Sequence, residues 1–112
     1  MLRLAVLTVS DKGSQGQRQD ESGPAIEEAL APLGYERVKY EIVPDERAVI
    51  ADRLRRWADS GDADLIVTTG GTGLAPRDVT PEATLDVVDR LVPGLAEVMR
   101  NESLKRTPMA ML

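Results

Sequence analysis

The sequence predicts a parallel α/β domain. Three observations carry that class. Short aliphatic or β-branched runs occupy residues 2–9, 37–43 and 64–69, each is followed by a helical apolar stripe, and each ends in a polar or glycine-containing break. Strand and helix in strict alternation is the order that right-handed crossovers fold into a parallel sheet. At 112 residues the chain has room for one domain with one modest core.

Residues 2–9 (LRLAVLTV) read as a buried strand. Residues 10–22 offer almost nothing to bury and read as a long, mobile loop. Ile26, Ala29, Leu30 and Leu33 fall at i, i+3, i+4 and i+7, the stripe of an amphipathic helix that Gly34 stops. In residues 37–43, Val38, Tyr40 and Ile42 alternate onto one face of a second strand, which Pro44 breaks. Asp45 stands where a helix N-cap belongs, ahead of the stripe Ile50, Leu54, Trp57 and Ala58, and Gly61 closes that helix. Residues 64–69 (DLIVTT) form a third strand of the continuous kind found at the centre of parallel sheets. Thr80-Pro81 is a helix start, with Thr as cap and Pro at the first helical position. Leu85, Val88 and Val92 supply its face. After Pro93-Gly94, Leu95, Val98 and Met99 open a last helix that frays by Thr107-Pro108. The first strand is expected between the second and third. The loops at 10–22, 44–46 and 70–79 then meet at the carboxyl edge of the sheet, where such folds bind ligands.

Composition narrows the chemistry. Fourteen basic and nineteen acidic side chains give a net charge of −5, with no long basic run. A nucleic-acid groove needs clustered Lys and Arg, so none is expected. Cys and His are both absent, which removes disulfides, thiol nucleophiles, imidazole bases and Cys-based zinc sites. Catalysis must then use carboxylates, hydroxyls, Lys, Arg and backbone amides. With oxygen ligands alone, Mg²⁺ is the natural cation. The run at 2–9 is too short and too quickly followed by charge to be a signal peptide, and no segment is long and apolar enough to span a bilayer. A soluble cytoplasmic protein without membrane contact is expected.

The densest signal is residues 69–84, TGGTGLAPRDVTPEAT. It is neither a Walker A loop nor the dinucleotide fingerprint, because no Gly-Lys-Ser/Thr follows and Pro76 takes the place of the last glycine. Gly70, Gly71 and Gly73 allow positive φ and close approach of backbone to a ligand. Their amides suit an anion nest, with Thr69 and Thr72 adding hydroxyls. Arg77 is a candidate phosphate clamp, and Asp78 a candidate for holding Mg²⁺ or orienting a nucleophile. Each feature also has a plain structural reading: a turn for the glycines, a solvated ion pair for Arg77-Asp78, a cap for Asp45, a strand-ending turn for Ser10-Asp11, and core for Trp57. Lys12 and Arg18 are either solvated or lid residues beside an anion.

Taken together, Val9-Ser10-Asp11, Val43-Pro44-Asp45-Glu46 and residues 68–84 resemble the molybdopterin adenylyltransferases of the MogA/MoaB type, along essentially the whole chain from residue 2. The resemblance implies a three-layer αβα sandwich around a mostly parallel sheet, usually trimeric. It implies Mg²⁺-dependent transfer of adenylate from ATP to molybdopterin, giving adenylyl-molybdopterin ready for a molybdate-insertion enzyme, and pyrophosphate. Carried onto this chain, it makes Asp78 and Asp45 the catalytic and metal-holding carboxylates. Ser10, Asp11, Thr69, Gly70, Gly71, Thr72 and Gly73 become the nucleotide- and pterin-binding residues. Glu82 lies near the site or neutralises a helix N-terminus. Members of the family continue with a further strand, a Gly/Pro/Ser-rich loop and a helix. Residues 1–112 are therefore expected to form a molybdopterin-binding domain that lacks its C-terminal part. The alternatives are a pterin-binding paralogue without catalysis, or a truncated remnant.

Overall fold

The computed structural model describes residues 1–17 and 19–108; the lid candidate Arg18 and the last four residues lie outside that range. Strand β1 (Leu2–Val9) is the middle of a three-stranded parallel sheet of order β2-β1-β3, with β2 at Tyr35–Val43 and β3 at Leu65–Thr69. Its position follows from its composition. Leu4, Ala5, Val6 and Leu7 are all fully buried, so both faces of β1 must be covered. Burying an aliphatic side chain of this size stabilises the fold by roughly 1.5–3 kcal/mol.

Helix α3 (Arg47–Ser60) covers one face. Ala5, Leu7 and Val9 of β1 cluster there with Val43, Ile50, Ala51, Leu54, Trp57 and Ala83. Gly61 ends α3 in the left-handed conformation, as its sequence position suggests. The other face of β1, carrying Thr8, looks toward α2 (Ser22–Leu30), which passes through a 3₁₀ turn (Ala31–Leu33) before Gly34. Helices on both sides of the sheet make the three layers. The chain leaves β1 for β2 on one side and then crosses over to β3 on the other. The switch point therefore lies at the carboxyl end of β1.

Several local expectations shift. The 10–22 segment is not all loop: α1 (Asp11–Ser14) forms in it, and Ser10 Oγ caps that helix by accepting from the Gly13 amide at 3.0 Å. β2 starts two residues earlier than its hydrophobic alternation, and Val38 sits at a bulge between the partners of Leu4 and Ala5. Tyr40 and Ile42 still share a face, opposite Val6 and Thr8. β3 is an edge strand, with Leu65 39% exposed, because β1 takes the central place. On α3, Ala51 is buried and Ala58 is exposed. Leu33 is exposed because the 3₁₀ turn rotates it off the helical stripe. Helix α4 (Thr80–Leu85) buries Thr80 and Ala83 instead of Leu85, Val88 and Val92, and Thr80 is its first residue, making no capping bond. Helix α5 (Pro93–Leu104) starts at Pro93 and buries nothing. Among the described residues no helix is long and apolar enough to cross a membrane.

Candidate active site

The three loops that follow the strands meet, and one carboxylate ties them together. Asp11, at the start of α1, accepts the Asp45 amide at 2.9 Å through Oδ1. It also accepts Arg77 in a two-pronged pair, with Nη2 at 2.8 Å from both oxygens and Nε at 3.1 Å. Those bonds, first the Asp45 amide and then Arg77, hold the Asp11 carboxyl below its ordinary range. The sheet supports the junction where the Ser10 amide donates to Val43 O at 2.9 Å. Arg77 thus pairs with Asp11 and not with its neighbour Asp78.

Asp45 does not cap its own helix. Glu46 occupies that position, and Asp45 Oδ1 accepts from the Val79 amide at 3.4 Å, bracing the end of the glycine loop. Burial pushes the Asp45 carboxyl up; the Val79 bond opposes this, and the charges of Asp78 and Asp11 add to it. Asp78 Oδ2 turns back to accept the Ala75 amide at 3.1 Å. Asp45 Oδ2 and Asp78 Oδ1 take no hydrogen bond among the described residues. Two neighbouring carboxylates, each with one oxygen anchored and one free, can share a hard cation. Mg²⁺ typically takes one or two protein carboxylates and completes its shell with water and phosphate oxygens. No group of three or more metal-ligating residues occurs among the described residues.

Gly70 and Gly71 both have positive φ, +91° and +67°. A Cβ at Gly70 would stand 2.2 Å from Val9 O, and one at Gly71 2.2 Å from Thr80 Oγ1 and 3.1 Å from Asp45 Oδ1. Gly73 is not at positive φ; its side is filled by Asp78 Oδ2, 2.7 Å from where a Cβ would be. Thr72 lies exposed on the loop. Thr80 is 2% exposed, and its hydroxyl, which has no hydrogen-bond partner among the described residues, sits directly under Gly71. Leucine, serine or any larger residue at 70 or 71 would displace this arrangement.

On the α2 side of the same loop lies a cavity of about 520 Å³. Ser10, Thr69 and Gly70 line it together with Thr8, Gln19, Asp20, Glu21 and Ser22. The cavity and the carboxylate pair are two sides of one loop: Gly70 faces the first and Gly71 the second. Asp20 builds the cavity wall. Its Oδ1 accepts the amides of Ser22 and Gly23 at 3.0 and 3.2 Å, and its Oδ2 accepts the hydroxyls of Thr8, at 2.9 Å, and Tyr40. Burial pushes Asp20 up, but the bonds from Tyr40, Gly23, Thr8 and Ser22 outweigh it and leave the carboxyl below its usual range. Burial, then the bond to Asp20, pushes the Tyr40 phenol up to about 12.

Sequence reasoning missed Thr8, Asp20, Tyr40 and Thr80. For Asp20 a signal existed: an acid ahead of Ser22-Gly23-Pro24 is a helix-entry pattern. Thr8 and Tyr40 look like ordinary strand residues, and Thr80 like an ordinary cap.

The model of one family, described as a probable molybdopterin binding domain, matches residues 5–112. The chain belongs to this MogA/MoaB molybdopterin-binding family. It is similar to the molybdopterin biosynthesis enzyme MoaB from Thermus thermophilus. There the identity is 58% and the TM-score 0.89, with 100% of this chain and 70% of that one covered. It is 47% identical over 116 residues to a molybdopterin adenylyltransferase of Helicobacter pylori J99, and 44% identical over 113 residues to one of Escherichia coli K12. Each alignment covers 99% of this chain, but only 64% and 58% of those relatives' length.

Proposed function

We propose that this MogA/MoaB-family chain forms one molybdopterin-binding domain, residues 1–112, of a Mg²⁺- and ATP-dependent molybdopterin adenylyltransferase in molybdenum-cofactor biosynthesis. The observation that carries the reading is the convergence of Asp45 and Asp78 on the Gly70–Gly73 loop at the switch point of the sheet, each with a free carboxylate oxygen. Relatives named as molybdopterin adenylyltransferases support the activity.

In this reading an oxygen of the molybdopterin phosphate attacks the α-phosphorus of ATP. A new P–O bond forms, the bond to the bridging oxygen of the β-phosphate breaks, and pyrophosphate leaves. Phosphoryl-type transfer depends on placement and charge neutralisation more than on a strong base, so a chain without His or Cys is suited to it. The backbone amides of Gly70, Gly71, Thr72 and Gly73 hold phosphate oxygens, with the hydroxyls of Ser10 and Thr69 beside them. Asp78 and Asp45 place the reacting groups and are the residues that would hold Mg²⁺, which supplies charge neutralisation when bound. Asp11 and Arg77 act on the geometry: they lock the three loops. The same reading makes the working protein a cytoplasmic homotrimer that passes its product to a molybdate-insertion enzyme.

Mass spectrometry of the products formed from molybdopterin, ATP and Mg²⁺ tests this, with Asp78→Asn in parallel. Adenylyl-molybdopterin from the parent and not from the variant is the expected result. Pterin retained by the parent with no adenylylated product would identify a binding protein instead.

A further inference from the structure

Thr80 is a buried polar residue that the adenylyl-transfer reading leaves without a role. It is 2% exposed, and its hydroxyl has no hydrogen-bond partner among the described residues. Buried side-chain polar atoms are nearly always partnered, because an unmet hydroxyl forfeits its bonds to water and gains nothing in return. The cost is avoidable: valine has nearly the same shape and no hydroxyl to satisfy. Threonine therefore weakens this arrangement of the fold, and its use lies in another state of the site.

The surroundings show where a partner can come from. The backbone of Thr80 is pinned: its amide donates to Gly71 O at 3.1 Å, and its carbonyl accepts the Thr84 hydroxyl at 2.8 Å. Three residues on, Ala83 is fully buried in the core that α3 builds. The hydroxyl thus stands on a fixed base and faces the underside of Gly71, in a loop whose residues 72–77 are exposed. Asp45 reaches the same spot from the loop after β2. The point where a Cβ on Gly71 would stand lies 2.2 Å from Thr80 Oγ1 and 3.1 Å from Asp45 Oδ1. That Asp45 oxygen is short of donors. Among the described residues it accepts only the Val79 amide, at 3.4 Å, longer than the roughly 2.7–3.2 Å of ordinary N–H···O bonds. A donor without an acceptor and a carboxylate with one weak donor therefore border one small space beneath Gly71.

At 2% exposure the residue lies too deep to meet a nucleotide, so it must act through a neighbour. We propose that Thr80 is a positioning residue for Asp45: when a nucleotide phosphate settles on the Gly70–Gly73 loop, Gly71 shifts and the Thr80 hydroxyl donates to Asp45 Oδ1. That bond fixes the carboxylate and leaves Oδ2 free for the site. A hydroxyl donating to a carboxylate makes a charge-assisted bond, stronger than one between neutral groups. Because it forms only in the loaded state, it adds to nucleotide affinity and not to the stability of the free protein. That a nucleotide settles on the loop rests on the adenylyltransferase reading; the proximity of hydroxyl and carboxylate rests on the geometry alone.

Two variants of the full chain test this. Thr80→Val removes the hydroxyl and keeps the shape; Thr80→Ser keeps the hydroxyl. Calorimetric titration with ATP and Mg²⁺ gives the affinity, and thermal melts without ATP give the stability. Thr80→Val is expected to melt no lower than the parent yet bind ATP about tenfold more weakly, with Thr80→Ser within about threefold of the parent. In an Asp45→Ala background, Thr80→Val should weaken ATP binding by less than about twofold further, because the acceptor is gone. A lower melting temperature for Thr80→Val would mean that the hydroxyl is already partnered in the free protein, and the proposal falls. An ATP affinity equal to the parent's, or the same loss in the Asp45→Ala background, also overturns it. In these cases the transferase reading stands if the parent forms adenylyl-molybdopterin. If the expected pattern appears while the parent forms none, the role of Thr80 stands and the transferase reading falls. A parent that binds no ATP overturns both.

Discussion

Asp11 takes its hydrogen bonds from two other loops, and that makes it more than a strand-ending residue. By accepting the Asp45 amide and the Arg77 guanidinium it sets the distance between the loops that follow all three strands. Gly70 fixes the third loop from within. At φ +91°, with Val9 O only 2.2 Å from where a Cβ would be, Gly70→Ala must move backbone and not merely a side chain. Such strain costs about 1–3 kcal/mol, so urea denaturation should show that loss, and the ATP affinity of the folded fraction should fall as well. A second residue-scale prediction concerns acid. Asp64 accepts from Arg3 through side chain and backbone, bonds that hold its carboxyl at about 2 against an ordinary 3.8. A carboxyl whose folded value is depressed stabilises the fold above its unfolded pKa and loses that contribution as pH falls through the folded one. The parent should therefore lose stability between pH 4 and pH 2 more steeply than Asp64→Asn, which starts lower and lacks this component. Melting temperatures across that window measure it.

At the scale of elements, β1 and α3 carry the fold and the short pieces carry the site. Ile50 is fully buried against Ala5, Leu7 and Val9, so Ile50→Ala should cost about 2–5 kcal/mol in chemical denaturation. Strands and α3 were legible because their signals are local and repeated. A β-branched run or a 3.6-residue stripe survives small errors of boundary, and Gly34 and Gly61 do terminate their elements with φ near +70°. What was not legible depends on partners far away in sequence. Asp45 reads as a cap because a cap is the nearest use for its carboxylate, yet it serves Val79. Arg77 reads as paired with Asp78 or with a ligand, yet it serves Asp11 across 66 positions. Leu85, Val88 and Val92 read as a helix face, but α4 stops at Leu85 and a face needs a helix to present it.

On the scale of the whole molecule, the sheet has two unequal sides. The α3 side has a continuous core, whereas the helix beyond α4 offers apolar surface to solvent: Leu95, Val98 and Met99 are 62–69% exposed, with Leu91 and Val92 beside them. Among the described residues, β3 also leaves its outer edge unpaired. Apolar patches and bare edges of this kind promote association. Light scattering should show mass rising with protein concentration, and Leu95→Glu with Met99→Glu should reduce that rise without lowering the melting temperature, since neither side chain is packed. The class of fold, the strand order and the meeting of the three loops at one sheet edge were all readable from the sequence, because topology places the carboxyl ends of parallel strands together. The cavity was not readable, because its wall depends on Asp20 reaching Thr8 and Tyr40 on two strands.

The central claim is that Asp45 and Asp78, at the glycine loop, direct attack on the α-phosphorus of ATP. Pyrophosphate release in a single turnover, with and without molybdopterin, tests it most directly. The account predicts molybdopterin-dependent release of pyrophosphate, slowed about a hundredfold or more by Asp78→Asn and by Asp45→Asn while ATP still binds. Release of inorganic phosphate in its place, or rates unchanged in both variants, would contradict it.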